Sequence, residues 1–342
     1  MQTKFENETG RHETSRREFL RTSVAGLAGA SLVPSLMNAA ETTTAAGAMP
    51  TRQFGRHPDK ISLLGLGGFH IGVGSLSDSE SVRLIQEAID HGVTVLDNAW
   101  CYHDGRSEER VGQALQGRRD KVFLMTKHHG REKKVALEHL EDSLRRFKTD
   151  RLDLWMFHEC VYEQDPDRIF APGGGIEAAT VAKQQGKVRY IGFTGHKYPW
   201  IHLKMLAYDY PWDAVLMPLN ILDGTFQSFE KWVLPVLLKR GIAALAMKSR
   251  ASGEILREKI ATAEECWRYV AALPVATIVS GIDSLDILRK NLELAKTLKP
   301  MAAEERTTVL ERTREVALTG KLERFKTSNA FDGPVGRKLY GA

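Results

Sequence analysis

The chain has 342 residues, of which 42% are hydrophobic and 27% are charged. These fractions are typical of a globular protein with a substantial core and argue against a disordered chain. The 48 basic and 43 acidic residues give a net charge of +5 without a long basic block, which argues against nucleic acid as the partner. The three cysteines, Cys101, Cys160 and Cys266, are too few and too scattered for a disulfide framework or a Cys-rich metal site. We expect free thiols.

Residues 1–40 have the features of an export signal. The pair Arg16-Arg17 is followed by Phe and Leu, and then by a mildly apolar stretch that Gly, Ser and Pro make too polar for a stable membrane span. We interpret this pattern as a twin-arginine signal that is cleaved near Ala39 or Ala40. The twin-arginine export machinery is then a partner, and the mature chain is periplasmic or otherwise exported. The alternative is a basic N-terminal arm that leads into a buried helix.

Between residues 51 and 300, short apolar runs alternate with amphipathic segments, a pattern typical of β/α units around a parallel sheet. Strands are predicted at residues 61–67, 93–97, 122–127, 152–158, 188–194, 214–220, 242–248 and 277–282. Helices are predicted at residues 79–91, 107–116, 131–147, 175–185, 200–208, 229–239, 263–272 and 285–298. Eight strands with eight helices favour an α/β fold of the (β/α)8 TIM-barrel type over an open doubly wound sheet.

Two further segments flank the predicted barrel. Residues 41–50 are interpreted as a linker between the signal and the barrel. Residues 301–342 are predicted to contain a helix at 304–319 and then a loop or tail from residue 325, which is rich in Gly, Asn, Pro and basic residues. We expect this tail to reach the rim of the barrel.

Four polar side chains follow predicted strands in the first half of the chain: Asp97, Tyr102, Lys127 and His158. Taken singly, each has an ordinary structural explanation, such as a loop cap, a surface lysine or a hydrogen-bonded core histidine. TIM barrels carry their chemistry on the loops after the strands, so we expect the four residues at one rim. Their occurrence together favours a single active site.

Together, these four residue types can carry out the reduction of a carbonyl. A tyrosine hydroxyl with its usual pKa of about 10 is a poor proton donor at neutral pH, and we expect the ammonium of Lys127 to favour the phenolate. Asp97 is expected to keep Lys127 protonated, and His158 to hydrogen-bond the substrate carbonyl. With a hydride from a nicotinamide ring, Tyr102 acts as general acid and base, and no metal is needed.

Several stretches of the chain, in this order, resemble the aldo-keto reductase superfamily. They are Leu96-Asp97-Asn98-Ala99 with Tyr102, Met125-Thr126-Lys127, the stretch from Ser143-Leu144-Arg145-Arg146 to His158, and Arg189-Tyr190-Ile191-Gly192-Phe193-Thr194. The resemblance implies an α/β barrel that binds NADPH, less often NADH, across the rim. It implies reduction of an aldehyde, ketone or sugar, or oxidation of the alcohol. It also assigns Asp97, Tyr102, Lys127 and His158 to the catalytic tetrad of that family.

The expected contacts to the nicotinamide depart from the family pattern. The family usually has a Ser-Asn pair after the fifth strand and a Gln on the sixth, whereas this chain has Thr194-Gly195 and Leu216. Thr194 keeps a hydroxyl group, but the amide partners are missing. We expect Asn220 or His196 to compensate.

The resemblance places the phosphate and adenosine side of the cofactor after the seventh and eighth strands. The residues expected there are Lys248, Ser249, Arg250, Gly281, Asp283 and Asn291. Asp283 lies where the family often has Ser, Lys or Arg for the ribose 2′-phosphate, and a carboxylate there favours a free ribose hydroxyl. The positive charges of Lys248 and Arg250 favour a 2′-phosphate instead. We therefore predict NADP, with NAD as the alternative cofactor.

Two other functions remain open at this point. Histidines follow each of the first five predicted strands, which suggests a metal-dependent TIM-barrel hydrolase: His70, His103, His128, His158 and His196. The first strand lacks a His-x-His motif and the eighth lacks an obvious carboxylate ligand, so we expect no metal. The missing amide contacts suggest a catalytically silent barrel that only binds the cofactor. The substrate that we predict is a small-molecule carbonyl or alcohol.

Overall fold

The structure is a computed structural model that describes residue 42 and residues 47–341. Its ten strands are β1 (Thr51–Gln53), β2 (Lys60–Ser62), β3 (Leu64–Gly67), β4 (Val95–Asp97), β5 (Phe123–His128), β6 (Leu152–Phe157), β7 (Val188–Thr194), β8 (Ala214–Pro218), β9 (Ala243–Met247) and β10 (Thr277–Gly281). Strands β3 to β10 form a closed parallel barrel, in which β10 pairs with both β3 and β9. The prediction of a (β/α)8 TIM barrel is confirmed. The twin-arginine segment lies outside the described residues.

The helices surround the barrel and follow the strands in chain order. They are Gly68–Ile71, Asp78–Asp90, Arg106–Ala114, Lys133–Phe147, Asp165–Phe170, Gly175–Gln184, Pro199–Ala207, Phe229–Trp232, Leu234–Lys239, Glu254–Arg257, Ala263–Ala271, Leu285–Thr297, Ala303–Ala317, Arg324–Thr327 and Pro334–Tyr340. Within the described ranges, 42 and 47–341, none of these helices has the length and apolar character needed to cross a membrane.

The barrel interior is filled by apolar side chains that the strands direct inward. The cluster includes Val95, Met125, Leu154, Met156, Leu216 and Leu245. Both faces of a barrel strand are buried, since helices cover the outside, and this explains why the strand sequences are continuously apolar. Leu216 therefore fills the barrel core, at the place where the resemblance implies a cofactor-binding Gln.

The N-terminal end of the barrel is closed by a hairpin that the sequence did not predict. Strands β1 and β2 pair antiparallel, with Arg52 opposite Ile61, and Ile61 joins the core inside the barrel. The predicted single strand at residues 61–67 is therefore wrong. The chain changes pairing partners around Leu63, because Leu64 begins the parallel pairing with β10.

Two predicted elements of the second half are also interrupted or extended. The predicted helix 229–239 is split into Phe229–Trp232 and Leu234–Lys239, since Pro235 has no backbone N–H to continue the first helix. The predicted tail from residue 325 contains two short helices, Arg324–Thr327 and Pro334–Tyr340. The helix before it begins at Ala303 and ends at Ala317.

Buried ion pairs attach this C-terminal segment, residues 320–341, to the loops that follow the strands. The ammonium of Lys326 is fully buried and lies 2.7 Å from Asp223 and 2.9 Å from Glu323. Lys197, in the loop after β7, lies 2.6 Å from Asp332. The segment therefore packs over part of the rim at which the predicted site residues lie.

Candidate active site

The structure brings the four residues Asp97, Tyr102, Lys127 and His158 to one rim of the barrel. Asp97 ends β4, Lys127 lies near the end of β5, and His158 directly follows β6. Tyr102 begins a short 3-10 turn after β4. Parallel pairing of β4 with β5 and of β5 with β6 aligns these strand ends side by side. The proximity of the four residues is thus a direct consequence of the barrel.

Lys127 is the central residue of this group. Its Nζ lies 2.6 Å from Oδ1 of Asp97 and donates to the backbone carbonyl of Asn98 at 2.5 Å. It also lies 3.5 Å from the hydroxyl of Tyr102. Both Lys127 and Asp97 are buried, and burial raises the pKa of Asp97 while the neighbouring ammonium opposes that rise. The expected pairing of Asp97 with Lys127 is present.

The expectation that Lys127 lowers the pKa of Tyr102 differs from what the structure indicates. Loss of hydration, together with the negative charge of Asp97, raises the pKa of Tyr102 well above its usual value. The charge of Lys127 is balanced by Asp97 at 2.6 Å, so its effect on the phenol is weakened. The hydroxyl is therefore protonated at neutral pH, which is the form that can donate a proton to a carbonyl oxygen.

His158 lies beside His129 and Cys101, two neighbours that are distant from it in the sequence. Its ring is 5.7 Å from the ring of Tyr102. Its Nδ1 is 3.2 Å from Nε2 of His129 and 3.6 Å from Sγ of Cys101. Burial, followed by the nearby His129 and Lys127, lowers the pKa of His158 well below its ordinary value. The imidazole is neutral and can act as a hydrogen-bond donor.

The residues expected on the adenosine side of the cofactor lie just after β9, at or after the end of β10, and on the helix Leu285–Thr297. Arg250 donates to the side-chain oxygen of Asn291 at 2.8 Å, while the amide nitrogen of Asn291 lies 3.4 Å from Oγ of Ser280. Gly281 is packed so closely that a Cβ there would lie 2.3 Å from the ring of His70. Nε of Arg250 is buried and has no hydrogen-bond partner among the described residues. This guanidinium can therefore bind an additional acceptor.

Lys248 and Ser249 follow β9 directly. The backbone of Lys248 has φ 56°, an uncommon conformation for a residue other than glycine. Its ammonium lies 5.2 Å and 5.1 Å from the rings of Phe325 and Phe331. Burial lowers the pKa of Lys248 to about 8, with Glu159 opposing that decrease. Ser249 is buried next to it.

The groups that were expected to replace the missing amides have different surroundings. Asn220 is fully buried and donates to Glu323 at 2.9 Å, and its side-chain oxygen accepts from the N–H of Leu222. It thus holds the C-terminal segment in place. Nδ1 of His196 lies within hydrogen-bonding distance, 3.0 Å, of the carbonyl oxygen of Phe325. Its other nitrogen, Nε2, is buried and unpartnered within residues 42 and 47–341, which makes His196 the better candidate of the two.

Thr194 ends β7 and Gly195 follows it, beside the loop after β6. Thr194 is buried, and its carbonyl accepts from the N–H of Cys160 at 2.8 Å. A Cβ at Gly195 would lie 2.4 Å from the carbonyl oxygen of Cys160. The close approach of the two loops therefore requires glycine here and explains why the amide implied by the resemblance is absent.

Asp283, like Gly281, is an exposed member of the predicted cofactor set. It is close enough to His70 to oppose the lowering effect of burial on the pKa of that histidine. An exposed carboxylate is surrounded by water and counterions, so its repulsion of a phosphate is weak. The charge of Asp283 therefore disfavours NADP less than the sequence alone suggests.

Comparisons with known proteins identify the class of enzyme. Residues 63–312 match the model of the aldo/keto reductase family. The uncharacterized oxidoreductase YqkF of Bacillus subtilis (strain 168) is 27% identical over 295 residues, which cover 72% of this chain and 91% of YqkF. Methylglyoxal reductase YeaE of Escherichia coli (strain K12) is 38% identical over 142 residues, covering 40% of this chain and 47% of YeaE.

A solved structure agrees with this match. The holo form of aldo-keto reductase AKR11C1 from Bacillus halodurans aligns with a TM-score of 0.66 and 27% identity, covering 77% of this chain and 96% of AKR11C1. The protein is an NAD(P)-dependent oxidoreductase that interconverts carbonyls and alcohols. The chain belongs to the aldo/keto reductase family.

Proposed function

We propose that this protein reduces a small carbonyl compound with NADPH, and that Tyr102 is the proton donor. The observation that carries the assignment of Tyr102 is the position of Lys127. Its ammonium lies 2.6 Å from Asp97 on one side and 3.5 Å from the Tyr102 hydroxyl on the other. A phenol beside a buried, carboxylate-bound ammonium is a suitable acid and base for the two directions of carbonyl reduction.

Each residue then has one task. The nicotinamide cofactor supplies the hydride that adds to the carbonyl carbon. Tyr102 gives its proton to the carbonyl oxygen, and the ammonium of Lys127 stabilises the phenolate that remains. Asp97 keeps Lys127 charged, and the neutral imidazole of His158 donates a hydrogen bond that orients the carbonyl. The phenolate regains a proton from solvent after the alcohol leaves.

The polar groups that remain unpartnered at the rim suit a phosphate-bearing cofactor. Nε of Arg250 is free of hydrogen bonds within the described part of the chain, and Lys248 lies on the same rim, with Ser249 and Asn291 beside these cations. Two cations against one exposed carboxylate, Asp283, favour NADP over NAD. His196, through its buried Nε2, is the residue that we assign to the nicotinamide amide, together with Thr194.

Substrate turnover with a matched pair of tyrosine variants tests this assignment. Oxidation of NADPH by the purified chain is measured from the loss of absorbance of the reduced nicotinamide ring. Tyr102→Phe is expected to lower kcat by roughly 10²–10⁴-fold, the usual contribution of a positioned general acid. The control is Tyr190→Phe, whose hydroxyl donates to Asp59 at the opposite end of the barrel.

The cofactor must still bind to Tyr102→Phe, which is measured by titration with NADPH and NADH. Equal turnover of Tyr102→Phe and the wild type would remove Tyr102 from its proposed role. Absence of binding of either nucleotide to the wild type would contradict the whole assignment. Binding without turnover of any carbonyl would favour a catalytically silent barrel.

For the substrate, we propose a short aldehyde or 2-oxoaldehyde. The support is the similarity to YeaE, which is named as a methylglyoxal reductase and shares 38% identity over 142 residues. A panel of methylglyoxal, simple aldehydes, ketones, sugars and quinones, compared by kcat/KM, tests the proposal. A preference for a sugar or a quinone over methylglyoxal would contradict it.

We also propose that the chain is exported by the twin-arginine route to the periplasm. The support is the Arg16-Arg17 pair followed by a mildly apolar stretch and Ala39-Ala40. Replacement of both arginines by lysine is expected to leave the full chain in the cytoplasm, as measured by cell fractionation. Export of that variant at the level of the wild type would contradict the proposal.

A further inference from the structure

Cys101, His129 and His158 form a compact cluster beside the proposed catalytic residues. Nε2 of His129 lies 3.2 Å from Sγ of Cys101 and 3.2 Å from Nδ1 of His158. Sγ of Cys101 lies 3.6 Å from the same Nδ1. All three potential ligand atoms lie within 4.8 Å of one another. Two nitrogens and one sulfur thus form a small triangle.

The dimensions of this triangle match one face of a tetrahedral zinc site. Zinc binds histidine nitrogen at about 2.0–2.1 Å and cysteine sulfur at about 2.3 Å. Tetrahedral angles then separate two nitrogens by about 3.3 Å, and a nitrogen from a sulfur by about 3.6 Å. The N–N distance of 3.2 Å and the N–S distance of 3.6 Å to His158 are close to these values, and the N–S distance of 3.2 Å to His129 is shorter than the ideal. The side chains need little movement to hold a metal ion.

The backbone holds the three ligands in place, because they lie in the loops after three adjacent strands. The N–H of Trp100, next to Cys101, donates to the carbonyl of Lys127 at 2.9 Å. The N–H of His158 donates to the carbonyl of His128 at 2.8 Å. Hydrogen bonds therefore connect each ligand loop to its neighbour. A preformed set of ligands reduces the ordering cost of binding a metal.

The carboxylate of Glu159 lies close to His129, one member of the cluster. Nδ1 of His129 is buried and has no hydrogen-bond partner among the described residues, and the nearest carboxylate, that of Glu159, is 4.0 Å away. Glu159 is itself held by the N–H of Gly333 at 3.0 Å. Histidines that bind metals usually direct their second nitrogen toward a carboxylate or a carbonyl, which fixes the tautomer. Glu159 is placed for that task.

We propose that Cys101, His129 and His158 bind one zinc ion, with the fourth position open to water or a substrate oxygen. Mixed nitrogen and sulfur ligands in tetrahedral geometry select zinc over magnesium and calcium. Binding releases the thiol proton of Cys101 to solvent, and the two neutral imidazoles keep their remaining N–H. No oxidation or reduction is involved. From the sequence we expected no metal, because the first strand lacks a His-x-His motif and the eighth lacks a carboxylate ligand; the structure instead groups Cys101 with two histidines.

This proposal does not depend on the reductase assignment, although the two share His158. A metal on Nδ1 leaves the proton of His158 on Nε2. The ring then has a single donor for a carbonyl oxygen, which is the task assigned to it above. Zinc is therefore compatible with reduction and makes the tautomer of His158 definite.

Cobalt substitution in the untagged, metal-stripped chain tests the proposal. One Co²⁺ per chain is expected to produce a near-ultraviolet thiolate-to-cobalt band and the intense visible bands of tetrahedral coordination. Zinc is expected to remove both bands. Cys101→Ser is expected to lose the thiolate band and, because it removes a ligand, to weaken binding by more than the roughly 10- to 100-fold typical of an outer-shell partner. Cys266→Ser, which changes a buried cysteine on the helix Ala263–Ala271, is the matched control and should retain both bands.

Two more variants replace Cys101→Ser if it does not fold and test the role of Glu159. If Cys101→Ser does not fold, as judged by circular dichroism, His129→Gln serves in its place, with loss of the tetrahedral bands as the expected result. Glu159→Gln should weaken zinc binding by roughly 10- to 100-fold, the usual effect of an outer-shell partner. Absence of the bands in the wild type, or equal binding by Cys101→Ser and the wild type, would overturn the proposal.

The failure of this proposal and the failure of the reductase assignment give different results. Tyr102→Phe should retain the full cobalt spectrum while it loses turnover, because Tyr102 supplies no ligand. Turnover without metal binding would leave the reductase assignment intact and refute the zinc site. Metal binding without turnover of any carbonyl would support the zinc site and contradict the reductase assignment.

Discussion

Two buried carboxylates at opposite ends of this barrel, Asp213 and Asp97, are held in different ways. At the N-terminal end, Asp213 is surrounded by Arg56 and His57 at 2.9 Å and by Lys183 at 3.1 Å. At the C-terminal rim, Asp97 has Lys127 as its cationic partner in the described residues. The first carboxylate is held by several partners, each of which is partly exposed. The second depends on one buried lysine.

The same contrast applies to other polar groups. Asp153 at the N-terminal end accepts from Arg119, Arg189 and the N–H of Leu124. At the rim, His196 and His129 each have a buried ring nitrogen that finds no partner in the part of the chain that the structure describes. Burying a polar group without a partner costs free energy. The difference indicates that the surroundings of Asp213 and Asp153 are arranged for stability, and those of His129 and His196 for binding.

The replacement with the largest expected effect on this contrast is Lys127→Met. It leaves the buried carboxyl of Asp97 without its cation, and breaking a buried pair from one side costs about 3–5 kcal/mol. We expect that loss in the free energy of unfolding, measured by urea titration at pH 8, together with loss of carbonyl reduction.

The pH dependence of the Lys127→Met variant provides its control. Burial raises the pKa of Asp97 even beside the lysine, and removal of the lysine raises it further. A raised carboxyl pKa means that the folded state binds the proton more tightly than the unfolded state, so the variant should become more stable, relative to wild type, as the pH falls. If the loss of unfolding free energy in Lys127→Met did not change with pH, it would not come from an unpaired carboxylate at Asp97.

A smaller effect is expected from Lys248→Met at the cofactor side of the rim. Loss of a charged hydrogen bond to a phosphate costs about 1.5–3 kcal/mol, or roughly 10- to 100-fold in the KM for NADPH. Because the pKa of Lys248 is lowered to about 8, the wild-type KM should rise above that pH as the ammonium loses its proton. In Lys248→Met, KM should be high at every pH.

Lys248→Arg separates charge from packing. Arginine stays protonated, so this variant should bind NADPH without the rise in KM above pH 8. A wild-type KM that does not change between pH 7 and about 9.5, an interval that spans the lowered pKa, would remove Lys248 from the cofactor site. If Lys248→Arg shows the same rise as the wild type, another group is responsible for it.

The smallest effect is expected from Lys183→Met at the N-terminal end. Arg56 and His57 remain beside Asp213, and a partly exposed pair contributes about 0–1 kcal/mol. We expect a change in the free energy of unfolding within that range and unchanged kcat and KM. A loss as large as that of Lys127→Met would show that the two ends do not differ as described.

Much of the architecture was predictable because it depends on local patterns. Continuous apolar runs mark barrel strands, amphipathic runs mark the covering helices, and polar residues directly after the strands mark the active rim. Asp97, Tyr102, Lys127 and His158 could be grouped on this basis alone, and the structure brings them together. The N-terminal hairpin could not be predicted, since residues 61–67 contain a single polar residue, Ser62, and do not show where the pairing partner changes.

The sequence by itself thus determined the barrel, the order of its strands and the loops that carry the proposed chemistry, because these follow from residue type and spacing along one segment. Only the tertiary structure decided the contacts between segments. It connected Cys101 with His129 and His158, which are 28 and 57 residues away, and it joined Asn220 to Glu323 over 103 residues. Such contacts depend on barrel closure and loop docking, which bring distant side chains within bonding distance and leave no periodic signal in the sequence.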